Sequence, residues 1–559
     1  MFLLRRSSIR STGSNHPSTA DVPLNMRSQL VRECCHFELE QNFQKLKLIG
    51  QGSYGSVHLL REKSSGRRLA SKTVNRPQGW TRERFRLEGA LLQNLDHPHI
   101  IRIFQWFENG DQAVLLCQFC EGGELMAAVR KGRSQGMPLE EAWAACALRQ
   151  AFQALVYLHD KCIVHKDLKV ENLLLLRSTA GENGCDMAKL PHVVVSDMGT
   201  AEICVRGLSH MFTPRGSRVA GTPATMSPEC LQGSCSPKSD VWSMGCVMFE
   251  MFTNNLPFTM VGSMGSAEAH QEAWLSLHKA GPKWEKLRCS QPAKELCQRM
   301  LSFREGNRPS AADCLRQAWV QGNQPAFNEE DKTALRAAVS RWSKAKVSCR
   351  ALCLKIAATY GNTDRFAEVF CKLDNDGNGT LDKNEVVAAF GMLGLSRDAA
   401  KTVGVSLDMN QDGLVQFLEF CAACILSLKE FADLLEKEFQ TIANPDKGCS
   451  RGSVRHYLQD LKRLVSSPES EFEFECKKDD RVTFQEFCQV FGQKCDSEGN
   501  LLAQGHPMTS WESDVRSMLS EDLFSPRSIK KTLTTLTTTF SPSSFLRCSS
   551  PDEGRRSPE

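Results

Sequence analysis

Residues Ile163–Leu176 read IVHKDLKVENLLLL. Apolar runs on both sides hold a short polar loop between two strands. Asp167 and Asn172 stand five residues apart in that loop. A carboxylate so placed can orient an attacking hydroxyl and accept its proton. The Asn172 amide oxygen can ligate Mg2+, and Lys169 between them can neutralise charge on a moving phosphoryl group. Downstream, VVVSDMGTAE (Val193–Glu202) is a strand of β-branched residues delivering Asp197 as a second Mg2+ ligand. Upstream, LIGQGSYGSV places Gly50, Gly52 and Gly55 before Val57. Glycines let backbone N–H groups close over phosphates without a Cβ in the way. Such a glycine pattern alone is a weak signal, because dinucleotide folds use it too.

The segments C-terminal to the glycines settle which fold this is. LASK puts Lys72 on a strand, and RERFRLEGALLQNL reads as a helix whose Glu88 can face Lys72. Taken alone, the pair is a surface ion pair; beside a phosphate loop it positions a cation for phosphate oxygens. In this order the elements resemble a eukaryotic protein kinase over about 43–320. The resemblance continues in SPE (Ser227–Glu229), in SDVWSMGCVMFEM (Ser239–Met251) and in Arg308, the expected partner of Glu229. It implies a two-lobed α+β fold. It also implies an ATP cleft lined by Gly50, Gln51, Gly52, Gly55, Val57, Ala70, Lys72, Glu88, Gln118, Cys120, Glu124, Asn172 and Asp197, with Asp167, Lys169 and Lys72 catalytic. Cys117 falls at the gatekeeper position. Glu124 and Glu171 imply Ser/Thr acceptors with an upstream basic residue.

Several positions depart from the family pattern. Met198 stands where Phe is usual, but an apolar, flexible side chain can fill the same place. Lys166 replaces an Arg that often holds an activation-segment phosphate; it keeps the charge and loses the bidentate fork. Residues 222–226 form an unusual docking loop, and STAGENGCDMAK (178–189) lengthens a β-hairpin. None of these removes a charge that phosphoryl transfer requires.

A second site lies farther along the chain. DNDGNGTLDKNE (Asp374–Glu385) sets oxygen ligands at Asp374, Asp376, Asn378, Thr380, Asp382 and Glu385, with Gly379 at the sharp turn. DMNQDGLVQFLE repeats the pattern with Asp408, Asn410, Asp412, Leu414 and Glu419, its start 34 residues later. Both are EF-hand loops for Ca2+. Leu381 and Val415 fall where paired loops form a short antiparallel ladder. Two further units are degenerate: one from Ala443 carries Pro445 and Lys447 at ligand positions, and one from Glu475 carries Lys477 and, in place of glycine, Asp480.

Between the sites, roughly Glu329–Ile356 reads as a basic amphipathic helix, with Leu335, Val339 and Trp342 on one face and Arg336, Arg341, Lys344 and Lys346 around it. Such a helix beside EF-hands reads as a calmodulin-type target. The whole arrangement resembles the calcium-dependent protein kinases of plants and protists. The expected architecture is multidomain: a flexible leader 1–42, a bilobal α+β kinase domain 43–320, a junction 321–357, an all-α calmodulin-like domain 358–495, and a disordered Ser/Thr/Pro-rich tail 496–559. The resemblance implies ATP, Mg2+ and Ca2+ as cofactors, and inhibition by the junction relieved by calcium. The rival reading is a calcium-binding scaffold whose kinase-shaped domain transfers no phosphate.

Bulk composition fits. The 559 residues carry a net charge of only +4, which gives no argument for nucleic acid. No apolar run reaches the ~18 residues a bilayer span needs; Phe2, Leu3 and Leu4 beside two arginines allow at most weak membrane contact. The 24 scattered cysteines read as reduced thiols of a cytoplasmic or nuclear monomer, and Cys421 and Cys424 as neighbours on one helix.

Overall fold

A computed structural model describes residues 39–51, 55–75, 79–108, 112–177, 180–181, 184–185, 190–203, 221–260, 266–322, 327, 329–360, 364–428, 430–443, 448–465, 472 and 481–494. Gly52, Pro445, Lys447, Glu475, Lys477, Asp480 and the tail lie outside these residues, as does the leader up to residue 38. The end of the expected flexible leader is a helical turn, α1 (Leu39–Asn42).

Strands β1 (Phe43–Gln51), β2 (Ser56–Glu62), β3 (Arg68–Asn75), β4 (Ile103–Glu108) and β5 (Gln112–Gln118) form an antiparallel sheet in the order β1-β2-β3-β5-β4. One face buries Phe43, Leu60, Leu69, Phe107, Val114 and Leu116. The other carries α2 (Gly79–Asn94), with Phe85 and Leu92 in the core beside Trp106 and Leu115. A Cβ on Gly89 would come within 2.9 Å of the Trp106 ring, so this mid-helix glycine sets how close α2 lies to β4. That approach places Glu88, one residue before, over the sheet.

The second lobe begins with β6 (Gly123–Glu124), α3 (Leu125–Ser134) and α4 (Glu141–Asp160). Short strands β7 (Ile163–Val164), β8 (Leu173–Leu175), β9 (Ala180–Gly181), β10 (Gly184–Cys185), β11 (Val193–Val195) and β12 (Glu202–Ile203) frame the polar loop. β11 pairs β8, β12 pairs β7, and β10 pairs β9 in the lengthened hairpin. Helices α5 (Pro228–Leu231), α6 (Pro237–Thr253), α7 (Ala267–Ala280), α8 (Gln291–Met300), α9 (Ala311–Leu315) and α10 (Ala318–Gln321) complete the lobe. α6 starts at a Ser236–Ser239 capping box with Pro237 in its first turn and is buried from Ser239 to Met251; a helix apolar nearly all round belongs in a core.

The third region holds α11 (Glu329–Lys344), α12 (Val347–Tyr360), α13 (Asp364–Leu373), β13 (Thr380–Leu381), α14 (Lys383–Met392), α15 (Arg397–Leu407), β14 (Val415–Gln416), α16 (Phe417–Ile425), α17 (Phe431–Ile442), α18 (Arg451–Lys462) and α19 (Phe484–Val490). Two expectations fail here. The single junction helix is two helices broken at Ala345–Lys346, with the Arg350 guanidinium turned back onto the Trp342 and Ser343 carbonyls. Only α11 is amphipathic. α12 buries Cys349, Leu352, Cys353, Leu354 and Ile356 completely and is a core rod packed against α16 and α18. Second, not every thiol is free: a disulfide joins Cys230 and Cys235, whose Cα atoms lie 4.7 Å apart. The turn through Gly233, at φ +84°, folds the chain back far enough to bring the two together. Cys421 and Cys424 are both buried on α16. Among the described residues of the degenerate units, the Val482 N–H donates to the Cys449 carbonyl at 2.9 Å.

Candidate active site and calcium loops

Three elements converge on Lys72. β3 presents its ammonium, α2 presents Glu88, and the turn after β11 presents Asp197. Lys72 Nζ lies 2.7 Å from Glu88 Oε1 and 2.8 Å from Asp197 Oδ1. Burial alone would lower the Lys72 pKa, but the two carboxylates override it and raise it. Burial would likewise raise Asp197; the Lys72 charge and hydrogen bond hold it at about 2. Asp197 has a left-handed backbone, φ +61°, and its side chain accepts the Gly199 N–H. Met198 is fully buried beside α2, filling the place the sequence assigned it.

Asp167 is clamped from several sides. Its Oδ1 accepts the Thr222 N–H at 2.9 Å and the Thr222 hydroxyl at 2.8 Å. Lys169 Nζ lies 3.1 Å from its Oδ2 and donates to the Thr222 hydroxyl at 3.0 Å. Asn172 Nδ2 donates to the Asp167 carbonyl at 2.7 Å. Beneath the loop, the buried Asp240 on α6 accepts the N–H groups of His165 and Lys166, each at 2.9 Å, and contacts His159 Nε2 at 2.9 Å. Burial opposes ionisation of Asp240, yet these bonds hold its pKa below the ordinary value. Lys166 Nζ pairs with Glu202 Oε2 at 2.6 Å. Arg308 grips Glu229 through both nitrogens, at 2.7 and 2.8 Å, as anticipated.

Of the other residues the sequence assigned to the cleft, Gly50, Gln51, Val57, Ala70 and Gln118 lie on the sheet and Cys120 just beyond it. Gly50 is the next-to-last residue of β1, and a Cβ on Gly55 would strike the Thr73 carbonyl, so the chain entering β2 lies this close to β3 only with glycine. Val57 pairs with Lys72 and Ala70 with Cys117 across the sheet. Gln51 is exposed, Gln118 half-buried and Cys120 buried. Glu124 and Glu171 are both exposed. Sequence reasoning missed a third acidic group, Glu250 on α6. Burial and then the Glu171 charge raise its pKa, while Arg130 holds it at 3.1 Å. It placed Thr222 in a docking loop but missed its bonds to Asp167, and it missed Glu202 and Asp240, which come to the site from remote segments.

The EF-hand loops are built as their spacing requires. Leu381 pairs with Val415. In the first, carboxylate oxygens of Asp374, Asp376 and Glu385 lie within 4.8 Å of one another. Asp374 accepts the N–H groups of Asn378 and Gly379, at 3.1 and 2.9 Å, and Glu385 accepts those of Asn375 and Asp382, at 2.8 and 2.9 Å. Desolvation, with Glu385 and Asp376 adding like charge, pushes Asp374 up to about 8. Such crowded hard oxygens fit a divalent cation, whose charge would relieve the repulsion. Asp382 caps α14, the Asn378 side chain accepts the Thr380 N–H at 2.8 Å, and Gly379 turns at φ +79°. In the second loop, Asp408 accepts from Gly413 at 2.9 Å, Asp412 from Leu414 at 2.9 Å, and Asn410 donates to Asp412 at 2.8 Å. Glu419 is fully buried and accepts the N–H groups of Met409 and Gln416, at 2.7 and 2.9 Å.

The junction face is occupied. Leu335, Val339 and Trp342 are buried, and α11 packs on α15 and α16. The Trp342 indole N–H donates to the Ser406 carbonyl at 2.8 Å. Arg336 donates to the Leu393 carbonyl at 3.1 Å and Arg341 to the Ser427 carbonyl at 2.9 Å, so the basic residues meet carbonyls at helix C-terminal ends.

Comparison with known proteins agrees with both sites. The protein kinase domain family matches residues 43–320, and the EF-hand domain pair matches 363–425. Calcium-dependent protein kinase 3 of Plasmodium berghei (strain Anka) is 25% identical over 80% of this chain and 79% of its own length. Calcium-dependent protein kinase 5 of Plasmodium falciparum (isolate 3D7) is 25% identical over 74% and 72%. Calcium-dependent protein kinase 6 of Plasmodium berghei (strain Anka) is 26% identical over 72% of this chain, which spans 26% of that relative's length. Among the described residues no helix is long and apolar enough to cross a membrane. With a kinase domain and an EF-hand pair matched in one polypeptide, the chain belongs to the calcium-dependent protein kinase family.

Proposed function

We propose that this chain transfers the γ-phosphate of ATP to Ser or Thr of proteins under the control of its own EF-hands. Lys72, fixed by Glu88, binds phosphate oxygens. Asp167, steered by Thr222 and Lys169, takes the proton of the acceptor hydroxyl. Asn172 and Asp197 are oxygen donors suited to Mg2+, which would neutralise phosphate charge. Glu124 and Glu171, with Glu250 behind them, select an upstream Arg or Lys. The remaining cleft residues, Gly50, Gln51, Gly52, Gly55, Val57, Ala70, Gln118 and Cys120, enclose the nucleotide. We take the domain divisions to be those the sequence implies, and the protein to act as a cytoplasmic monomer.

One observation carries the switch. The apolar face of α11 sits in the first EF-hand lobe, while Lys72, Glu88 and Asp197 are aligned. Without calcium, α11 leaves that lobe and blocks the cleft; calcium at Asp374–Glu385 and Asp408–Glu419 favours the captured arrangement. The test is transfer from Mg-ATP to a basic Ser/Thr peptide, with calcium and with chelator. Transfer should need calcium and vanish in Asp197→Ala, and Asp374→Ala/Asp408→Ala should lose the calcium response. An unchanged response in that double variant would refute the reading.

A further inference from the structure

The two calcium loops meet the kinase domain in different ways. The first presents glycine backbone: a Cβ on Gly377 would strike Leu315 at 2.5 Å, and one on Gly379 would strike His97 at 2.4 Å. That contact is shape alone. The second is met by a charge. The Leu418 N–H, in the first turn of α16, donates to Asp96 Oδ2 at 2.7 Å, across 322 residues of sequence. Asp96 is 3% exposed.

First-turn amides of a helix have no partner within it. The side chain before the helix, Gln416, spends its amide on Asp412 at 2.8 Å. Gln416 and Glu419 cap each other's amides, while the Leu418 N–H between them takes a carboxylate from the kinase domain, which faces the positive end of the helix dipole. Asp96 is itself held in place. Its N–H donates to the Tyr157 hydroxyl at 2.8 Å, and Arg102 lies 3.9 Å from its Oδ1. Arg102 reaches α12 as well as α16, donating to the Ala357 carbonyl at 3.5 Å and lying 5.6 Å above the Phe417 ring. Lys161 adds to the link, attracted by both Asp96 and the loop residue Asp412. The residue after Leu418 is Glu419, the twelfth position of the second loop.

We propose that Asp96 is a positioning residue for the second calcium loop: from the kinase domain it fixes the first turn of α16 and so the carboxylate of Glu419. Ordering that turn beforehand removes a cost that calcium would otherwise bear. Coupling is reciprocal, so calcium in this loop must tighten its hold on the kinase domain by the same factor. The proposal rests on the reading that both loops bind calcium.

The test is calcium calorimetry on the full chain in two backgrounds, Asp374→Ala to report the second loop and Asp408→Ala to report the first. Asp96→Ala should weaken calcium about tenfold in the first background and less than about twofold in the second, with Asp96→Asn between because its amide oxygen still accepts. Hydrogen exchange should quicken at the first turn of α16 and stay unchanged in α4, which excludes general unfolding. Equal affinity in the Asp374→Ala background, or equal loss in both, overturns the proposal. If neither background binds calcium even with Asp96 intact, the calcium reading itself has failed and the proposal falls with it.

Discussion

Replacing Trp342 by Ala tests whether capture of α11 and the calcium response are one equilibrium. The indole is fully buried, and its N–H is bonded to the Ser406 carbonyl. Truncating a buried Trp costs about 3–5 kcal/mol. A loss near 4 kcal/mol should fall almost wholly on the captured state, because α11 is released from the lobe in the other. If two calcium ions drive capture together, each must make up about 2 kcal/mol, which raises the half-activating calcium concentration about 30-fold. Peptide phosphorylation measured against buffered free calcium gives that midpoint directly. Trp342→Phe keeps an aromatic ring, loses the hydrogen bond, and should shift it only severalfold. An unchanged midpoint in Trp342→Ala would show that α11 in the lobe is packing and not the switch. Calcium-independent activity would show that Trp342 serves the inhibited state instead.

Lys72→Met should lower kcat by about 10²–10³ in single-turnover transfer assays, since it removes a preorganised cation from the phosphate site. Glu250 has a raised pKa, so it loses its charge at a higher pH than an ordinary Glu. The preference for Arg-bearing over neutral peptides should therefore begin to weaken, as the pH falls, above the ordinary carboxylate range, and this pH dependence should disappear in Glu250→Gln. Asp197, Glu229 and Asp240 have folded pKa values below their ordinary ones. Their stability contribution is full above the unfolded carboxylate range and drains as the pH falls through the folded values, toward 2 for Asp197. Glu229→Gln should accordingly cost about 2 kcal/mol at neutral pH and progressively less as the pH falls below the ordinary carboxylate range, read by urea unfolding of the full chain. Glu202→Gln should cut kcat about tenfold, because Lys166 beside Asp167 loses its partner.

Contiguous chemistry was legible in the sequence. Asp167, Lys169 and Asn172 share one loop, and each EF-hand loop holds its ligands within twelve positions, so residue order states the geometry. The Arg308–Glu229 pair was readable only through the family resemblance. What stayed hidden depends on chain crossings. Glu202 reaches Lys166 because β12 returns to pair with β7, and Thr222 reaches Asp167 across 55 residues of sequence; no local pattern encodes either contact. Asp96 looks like one more polar residue before a proline turn until α16 is set against it. The junction misled for a different reason. The basic residues of α11 coloured the whole stretch, although SCRALCLKIAA is buried at every position but Lys355 and belongs to a core. The Cys230–Cys235 bond has no composition signal in a chain of scattered cysteines.

Asp240 ties the catalytic loop to the most buried helix of the second lobe. The Lys166 backbone, at φ +71°, keeps its left-handed conformation while those bonds last. The loop should therefore have no melting transition of its own. Its amides should exchange with solvent only as slowly as those of α6, and heat should remove activity and tertiary structure together. Over evolutionary time such a loop can change its neighbours freely but not its anchor, so drift in substrate choice would accumulate at the rim, around Glu124 and Glu171, above an immobile floor.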